Sequence, residues 1–236
     1  IPIEAEQYIP LPLKETNLSF QKIDPDLDDK GKMNILLVAA KKTILEKYVF
    51  VLKEAHLVPH AIEPETISLG RILGDTPDKP VATVIVNIGV ENTTIIITYR
   101  GYVRFTRTIS IGAEILTRTV SQKLNLEYSQ AEEYKKTYGL DQTQAEGKIY
   151  EALKPTFDML IMEIKRGMMF FSSHNANIPL IRIVLGGGTA LMPGVLLYFA
   201  TNIDGEVELA NPWKNILLSN KLESDREFLL SHAPIF

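Results

Sequence analysis

Ile181-Arg182-Ile183-Val184-Leu185-Gly186-Gly187-Gly188-Thr189, with Pro193-Gly194 shortly after it, is the stretch on which the fold turns. Its apolar first half has the composition of a buried strand, and Pro193 predicts a helix opening there and running to about Thr201. Glycine has no Cβ, so three in a row let backbone N–H groups and a helix N-terminus approach a ligand closely. A tight strand-to-helix crossover without a ligand uses the same residues, and the turn alone leaves both readings open.

A second signal lies about a hundred residues upstream. Thr83 to Gly89 predicts a buried strand that ends in Asn87-Ile88-Gly89-Val90-Glu91-Asn92-Thr93-Thr94 and resumes as Ile95-Ile96-Ile97. Asn87, Gly89, Asn92, Thr93 and Thr94 give such a turn an amide, a glycine and hydroxyls able to face a phosphate chain. A plain β-hairpin satisfied by its own Asn and Thr residues is the alternative. The strand returns over Thr93 to Tyr99, turns at Arg100-Gly101, and a third runs from Tyr102 to Ile109. Helices are predicted from about Ala113 to Leu124 and from Ser129, where Ser129-Gln130-Ala131-Glu132 has the pattern of a capping box and Gly139 the place of a stop. From about Ala145 to Ser173 the pattern is mostly helical, with Pro155 interrupting it or starting a turn, and Val207 to Leu209 suits a last strand.

The first eighty residues have another texture. Ile3 to Tyr8 suits a helix end stopped by Pro10 and Pro12, Leu18 to Ile23 and Met33 to Ala39 suit strands, and Asp24 to Gly31 a loop. Thr43 to Leu57 predicts an amphipathic helix packed on those strands through Ile44, Tyr48, Val51, Leu52 and Ala55. His56 and His60 have a metal-like spacing, but Pro59 lies between them and breaks any helix that would align them. Val58 to Ile62 suits an extended segment and Glu65 to Leu73 a helix, and Asp75 to Pro80 is the expected main domain boundary.

Composition narrows the function. The 236 residues carry no cysteine, so thiolate chemistry and disulfides are excluded. A formal net charge of -4 without clustered Lys and Arg argues against nucleic acid, and no apolar run approaches the length of a membrane span. The chain opens at Ile1 without a Met or a signal-peptide pattern, and the expectation is a piece of a longer protein.

Hairpin, polar turn, a helical insert of roughly seventy residues, then strand, glycine turn and helix is the order of the second half of the actin, Hsp70 and sugar-kinase fold. Against that order, Glu4-Ala5-Glu6-Gln7-Tyr8-Ile9-Pro10, Leu36 to Lys42, Arg107-Thr108-Ile109-Ser110-Ile111-Gly112, Glu163-Ile164-Lys165-Arg166 and Ile183 to Gly194 resemble the actin-like FtsA/PilM family of type IV pilus machines. The resemblance implies an α/β actin-like ATPase (ribonuclease H-like) fold: 1–57 as part of an SHS2-type inserted domain, 58–79 as a return segment of the first subdomain, and 80–236 as the second lobe with its outer part at about 119–180.

It also implies ATP or ADP with Mg as ligand, Asn87 to Thr94 as second phosphate loop, Gly186, Gly187, Gly188 and Thr189 as adenosine loop with Met192 beside the base, and Glu163 and Arg166 at the ribose or base. A surface ion pair between those last two is the alternative reading. Asn87 stands where the superfamily usually has Asp. An amide neither accepts a proton nor charges a metal-bound water, which predicts weak or no hydrolysis. The family's first phosphate loop would lie upstream of Ile1. The resemblance further implies a cytoplasmic scaffold of the inner-membrane pilus platform, held to the membrane through partners. Those would be the N-terminal peptide of a PilN-like membrane protein, docked between the inserted domain and the first subdomain, and other platform proteins. A working ATPase or kinase and an FtsA-like division protein are the rival readings.

Overall fold

The structure, a computed structural model, describes residues 6–23, 33–74, 81–217 and 219–235. By contact the chain forms two compact units, 1–64 and 65–236. The boundary expected at Asp75 to Pro80, the loop Asp24 to Gly31 and half of the helix end at Ile3 to Tyr8 fall outside the described residues. The helix Glu65–Leu73 groups by contact with the second unit. A methyl at Gly70 would lie 2.7 Å from Val103 Cγ2, so bare backbone lets this helix rest on the sheet.

In the first unit β1 (Thr16–Lys22) pairs antiparallel with β2 (Ile35–Lys41), Thr16 opposite Lys41 and Lys22 opposite Ile35. The chain passes directly into α1 (Lys42–Glu54). The burial expected of this helix is not realised: none of its residues is buried, and Tyr48 and Val51 are each 63% exposed. A two-stranded ladder offers too little surface to cover an amphipathic helix. Its apolar stripe stays open among the described residues.

The second unit is built on a five-stranded sheet in the order β5-β4-β3-β6-β7, with β3 (Ala82–Ile88) in the middle, β4 (Thr93–Tyr99) and β5 (Tyr102–Ile109) antiparallel to one side, and β6 (Leu180–Gly186) and β7 (Glu206–Leu209) parallel on the other. Strands covered on both faces read as continuous apolar runs, and Val84 to Val86 and Ile95 to Ile97 are fully buried. The β4–β5 turn is made as expected, with positive φ at both Arg100 (53°) and Gly101 (77°). α2 (Glu65–Leu73) covers one face. The helices α3 (Ala113–Leu124), α4 (Tyr128–Tyr138), α5 (Lys148–His174) and α6 (Val195–Asn202) follow the main core, where Val84, Val86, Ile95 and Ile97 meet Leu116, Val120, Leu153, Phe157 and Phe199.

Three local expectations are corrected. Pro155 neither interrupts nor starts a turn: α5 runs unbroken for 27 residues. The Glu151 carbonyl, which a proline four residues on cannot serve, lies 3.4 Å from Lys123 Nζ. The capping box does not form, because α4 begins at Tyr128 behind Glu127 without a side-chain cap. Pro193 does not open α6; Gly194, at φ 76°, precedes its first residue, and a 3-10 turn Gly188–Leu191 comes before that. The Pro193 carbonyl instead accepts from Leu140 N–H at 2.7 Å. No helix among the described residues is long and apolar enough to cross a membrane.

Candidate functional site

The two glycine-bearing turns meet because their strands are neighbours. Asn87 on β3 stands opposite Thr94 on β4 and opposite Gly186 on β6, so the ends of three strands form one row. A methyl at Gly186 would approach Asn87 Oδ1 to 3.2 Å, and one at Gly187 would strike the Ile88 carbonyl at 2.2 Å. Gly187 is also at φ 83°, where a side chain is strained. The glycines thus bring β6 against the hairpin. Gly188 is different: where its Cβ would point, nothing lies within 4 Å.

That open space belongs to a cavity of about 450 Å³ lined by Ile88, Gly89 and Val90 of the hairpin, Ala113 of α3, Glu132, Lys135 and Lys136 of α4, and Gly188, Thr189, Leu191 and Met192 of the glycine turn. His232 and Ile235 complete it. Of the residues expected at a ligand, Gly89, Gly188, Thr189 and Met192 come together here.

The others do not line it. Thr93 is fully buried and its hydroxyl donates to the Ile111 carbonyl at 2.7 Å, holding the end of β5. Thr94 turns to the other face of the sheet, with its hydroxyl 3.4 Å from Glu65 Oε1, and Asn87 shares that face by register. Asn92 serves through its backbone, its carbonyl accepting from Gly89 N–H at 2.9 Å. Glu163 and Arg166 pair with each other on α5, and Glu163 also pairs with Arg107 of β5. Glu163 lies in a separate groove with Arg107 to Ile111, Met159 and Met162, and the ion pair with Arg166 is the contact these two residues make.

The pair that does reach the cavity has the same spacing on a different helix. Lys135, only 2% exposed, directs Nζ to the Ala113 carbonyl (3.1 Å), the Thr117 hydroxyl (2.7 Å) and Glu132 Oε2 (2.6 Å). Three partners use all three ammonium protons. Lys136 meets Glu132 Oε1 at 2.9 Å, and Thr117 also reaches the Glu132 carboxylate. Burial works to raise the Glu132 carboxyl, but hydrogen bonds from Lys135, Thr117 and Lys136 outweigh it and hold it at about 2. Burial pushes the Lys135 ammonium below its ordinary value, and Glu132 offsets this only in part. Sequence reading missed both residues. Glu132 had been parsed as a cap, and nothing local announces that Ala113 and Thr117 would surround Lys135.

These contacts join the loops into one chain. Asn92 O accepts from Gly89 N–H, Gly89 O accepts from Ala113 N–H at 2.9 Å, and Ala113 O accepts from Lys135. The hairpin is therefore tied through the start of α3 to the charged pair on α4. Gly112 permits it, since a methyl there would meet the Val90 carbonyl at 2.4 Å. The result is a concave site with an apolar floor, a fixed carboxylate and two lysines.

The chain as a whole is similar to known proteins. The family described as type IV pilus assembly protein PilM matches residues 1–236. The cell division protein FtsA of Bacillus subtilis (strain 168) is 25% identical over 195 residues, covering 75% of this chain and 44% of the relative. The chain thus spans less than half of that relative's length. Among solved structures, a PilM-PilN type IV pilus biogenesis complex aligns with a TM-score of 0.78 and 25% identity over 99% of this chain and 67% of that one. MreB 5 of Spiroplasma citri bound to AMPPNP aligns at 0.57 with 17% identity, over 72% and 60%, a likeness of fold. With an actin-like fold and a family match along its whole length, the chain belongs to the type IV pilus assembly protein PilM family.

Proposed function

We propose that this chain is the nucleotide-binding lobe of an actin-like scaffold in type IV pilus assembly, and that its cavity takes ATP or ADP. The observation that carries the reading is the single cavity in which Gly89, Gly188, Thr189 and Met192 meet Glu132 and Lys135. Its volume falls within the roughly 300–1,000 Å³ of ligand sites. The space beyond Gly188 is open, and the lining carries two bases to one acid. Gly188 and Thr189 would take the ligand against backbone, Met192 would pack on the base, and Mg would accompany the phosphates. The nucleotide in the similar MreB 5 structure supports this choice of ligand.

Glu132 is a weak base here, its carboxyl held at about 2 with both oxygens engaged by lysines, and Asn87 contributes an uncharged amide on the other face of the sheet. Binding, rather than turnover, is the useful event, with nucleotide biasing the orientation of domains in the complete protein. The partner is a PilN-like membrane protein engaged through its cytoplasmic N-terminal peptide, a reading supported by the similar PilM-PilN complex. Through it the protein would sit at the cytoplasmic face of the inner-membrane platform. The assignment of 1–57 to an SHS2-type domain and of 58–79 to the first subdomain belongs to the same proposal. Calorimetric titration of the complete polypeptide with ATP, alongside phosphate release by the parent and Asn87→Asp, tests it. Saturable binding with negligible release by the parent is expected; robust release by the parent would replace the scaffold with a working ATPase.

A further inference from the structure

One wall of the cavity comes from neither glycine turn nor hairpin. After β7 the chain makes 3-10 turns at Pro212–Asn215 and Asn220–Asp225, forms α7 (Arg226–Ser231), and ends its described part with the turn Ala233–Ile235. Hydrogen bonds pin this segment. Gly187 N–H donates to the Pro234 carbonyl at 2.7 Å, the Trp213 indole N–H to the Leu229 carbonyl at 3.0 Å, and Ile235 N–H to the His232 carbonyl at 2.9 Å. Ala233 and Pro234 are buried. Gly187 therefore meets the hairpin through Ile88 and the C-terminal segment through Pro234.

This pinning places His232 on the cavity. Its Nδ1 lies 3.1 Å from the Phe228 carbonyl, and its ring stacks on Phe228 with centroids 4.3 Å apart at 27°. The Ser231 hydroxyl lies 3.0 Å from the same Nδ1, so this nitrogen is engaged within its own segment in either tautomer, and Nε2 is the ring's remaining polar atom. Among the other ionisable groups of the lining, Lys135 spends its protons on Ala113, Thr117 and Glu132, both Glu132 oxygens take lysines, and Lys136 meets Glu132. His232 brings hydrogen-bonding capacity that this network leaves over.

We propose that the segment Arg226–Ile235 is an integral wall of the nucleotide site, with His232 contacting the ligand and Pro234 positioning the glycine turn. The inference rests on the nucleotide reading of the cavity. It makes ligand and segment mutually stabilising, because a ligand that touches His232 binds better when Pro234 is docked on Gly187, and holds it docked in return.

The test is the ATP affinity of the complete polypeptide against His232→Phe, which keeps the stack on Phe228 without ring nitrogens, and His232→Gln, whose amide reaches where Nε2 lies. Thermal melting of each variant monitors the fold. Expected are a parent-like melting temperature and about tenfold weaker binding for His232→Phe, the scale of one hydrogen bond, with most of the affinity kept by His232→Gln. Should His232→Phe fail to melt cooperatively, His232→Asn, too short to make the contact, takes its place with the same expected loss. Parent affinity in the variants without the contact overturns the role of His232 and leaves the nucleotide reading standing. No binding by the parent overturns the nucleotide reading and this inference with it.

Discussion

Glu132 and Lys135 on α4, and Glu163 and Arg166 on α5, are both a carboxylate followed three residues later by a cation, yet they end in opposite circumstances. The first pair lines a cavity, with an ammonium 2% exposed and every proton partnered. The second lies at the edge of the sheet, with Arg166 55% exposed and Glu163 shared with Arg107. Spacing places two side chains on one helix face; which face is buried, and against what, is settled by the packing of other elements. Here the deciding element is α3, whose first turn presents the Ala113 carbonyl and Thr117 hydroxyl to α4.

The difference sets energies that mutation reads directly. Lys135→Ala removes the partner of a carboxylate, a carbonyl and a hydroxyl at once, and should cost about 3 kcal/mol in urea denaturation of the complete protein. A change under about 0.5 kcal/mol would erase the distinction between the two pairs. The acid limb of the stability curve comes next. Glu132 is lowered from an ordinary 4.5 to about 2 in the fold, so its contribution is complete above about pH 4.5 and is lost as pH falls toward 2. Discounted for partial solvent access, that loss is about 1–2 kcal/mol. Glu132→Gln should flatten that limb, and an unchanged profile would show the carboxylate to be ordinary. Smallest is Arg166→Ala, expected to cost at most about 1 kcal/mol, with ATP affinity unchanged. A tenfold loss of affinity there would restore α5 to the ligand.

Much of the fold was legible because its signals are local. Val84 to Val86 and Ile95 to Ile97 announce strands by composition, Arg100-Gly101 announces a turn by its glycine, and Gly186 and Gly187 announce a close approach by having no side chain. What failed depends on distant partners. Thr93 and Thr94 carry hydroxyls suited to a phosphate, but their acceptors, Ile111 and Glu65, lie 18 and 29 residues away and cannot be named from the hairpin. Pro155 breaks one helical hydrogen bond, and the packing of Leu153, Phe157 and Leu160 in the core keeps the helix continuous through it. α1 shows the reverse: its apolar stripe is plain in sequence, and none of its residues is buried by the two strands beside it. His232 was invisible as a site residue because the hydrogen bonds that hold its segment at the cavity, from Gly187 to Pro234 and from Trp213 to Leu229, join residues distant in sequence.

The most direct test of the site is amide hydrogen exchange of the complete protein with and without ATP. The account predicts slowed exchange at 88–90, 132–136 and 187–192, with 159–166 unchanged. Protection centred on Glu163 and Arg166, with none around Lys135 and the glycine turn, would contradict it.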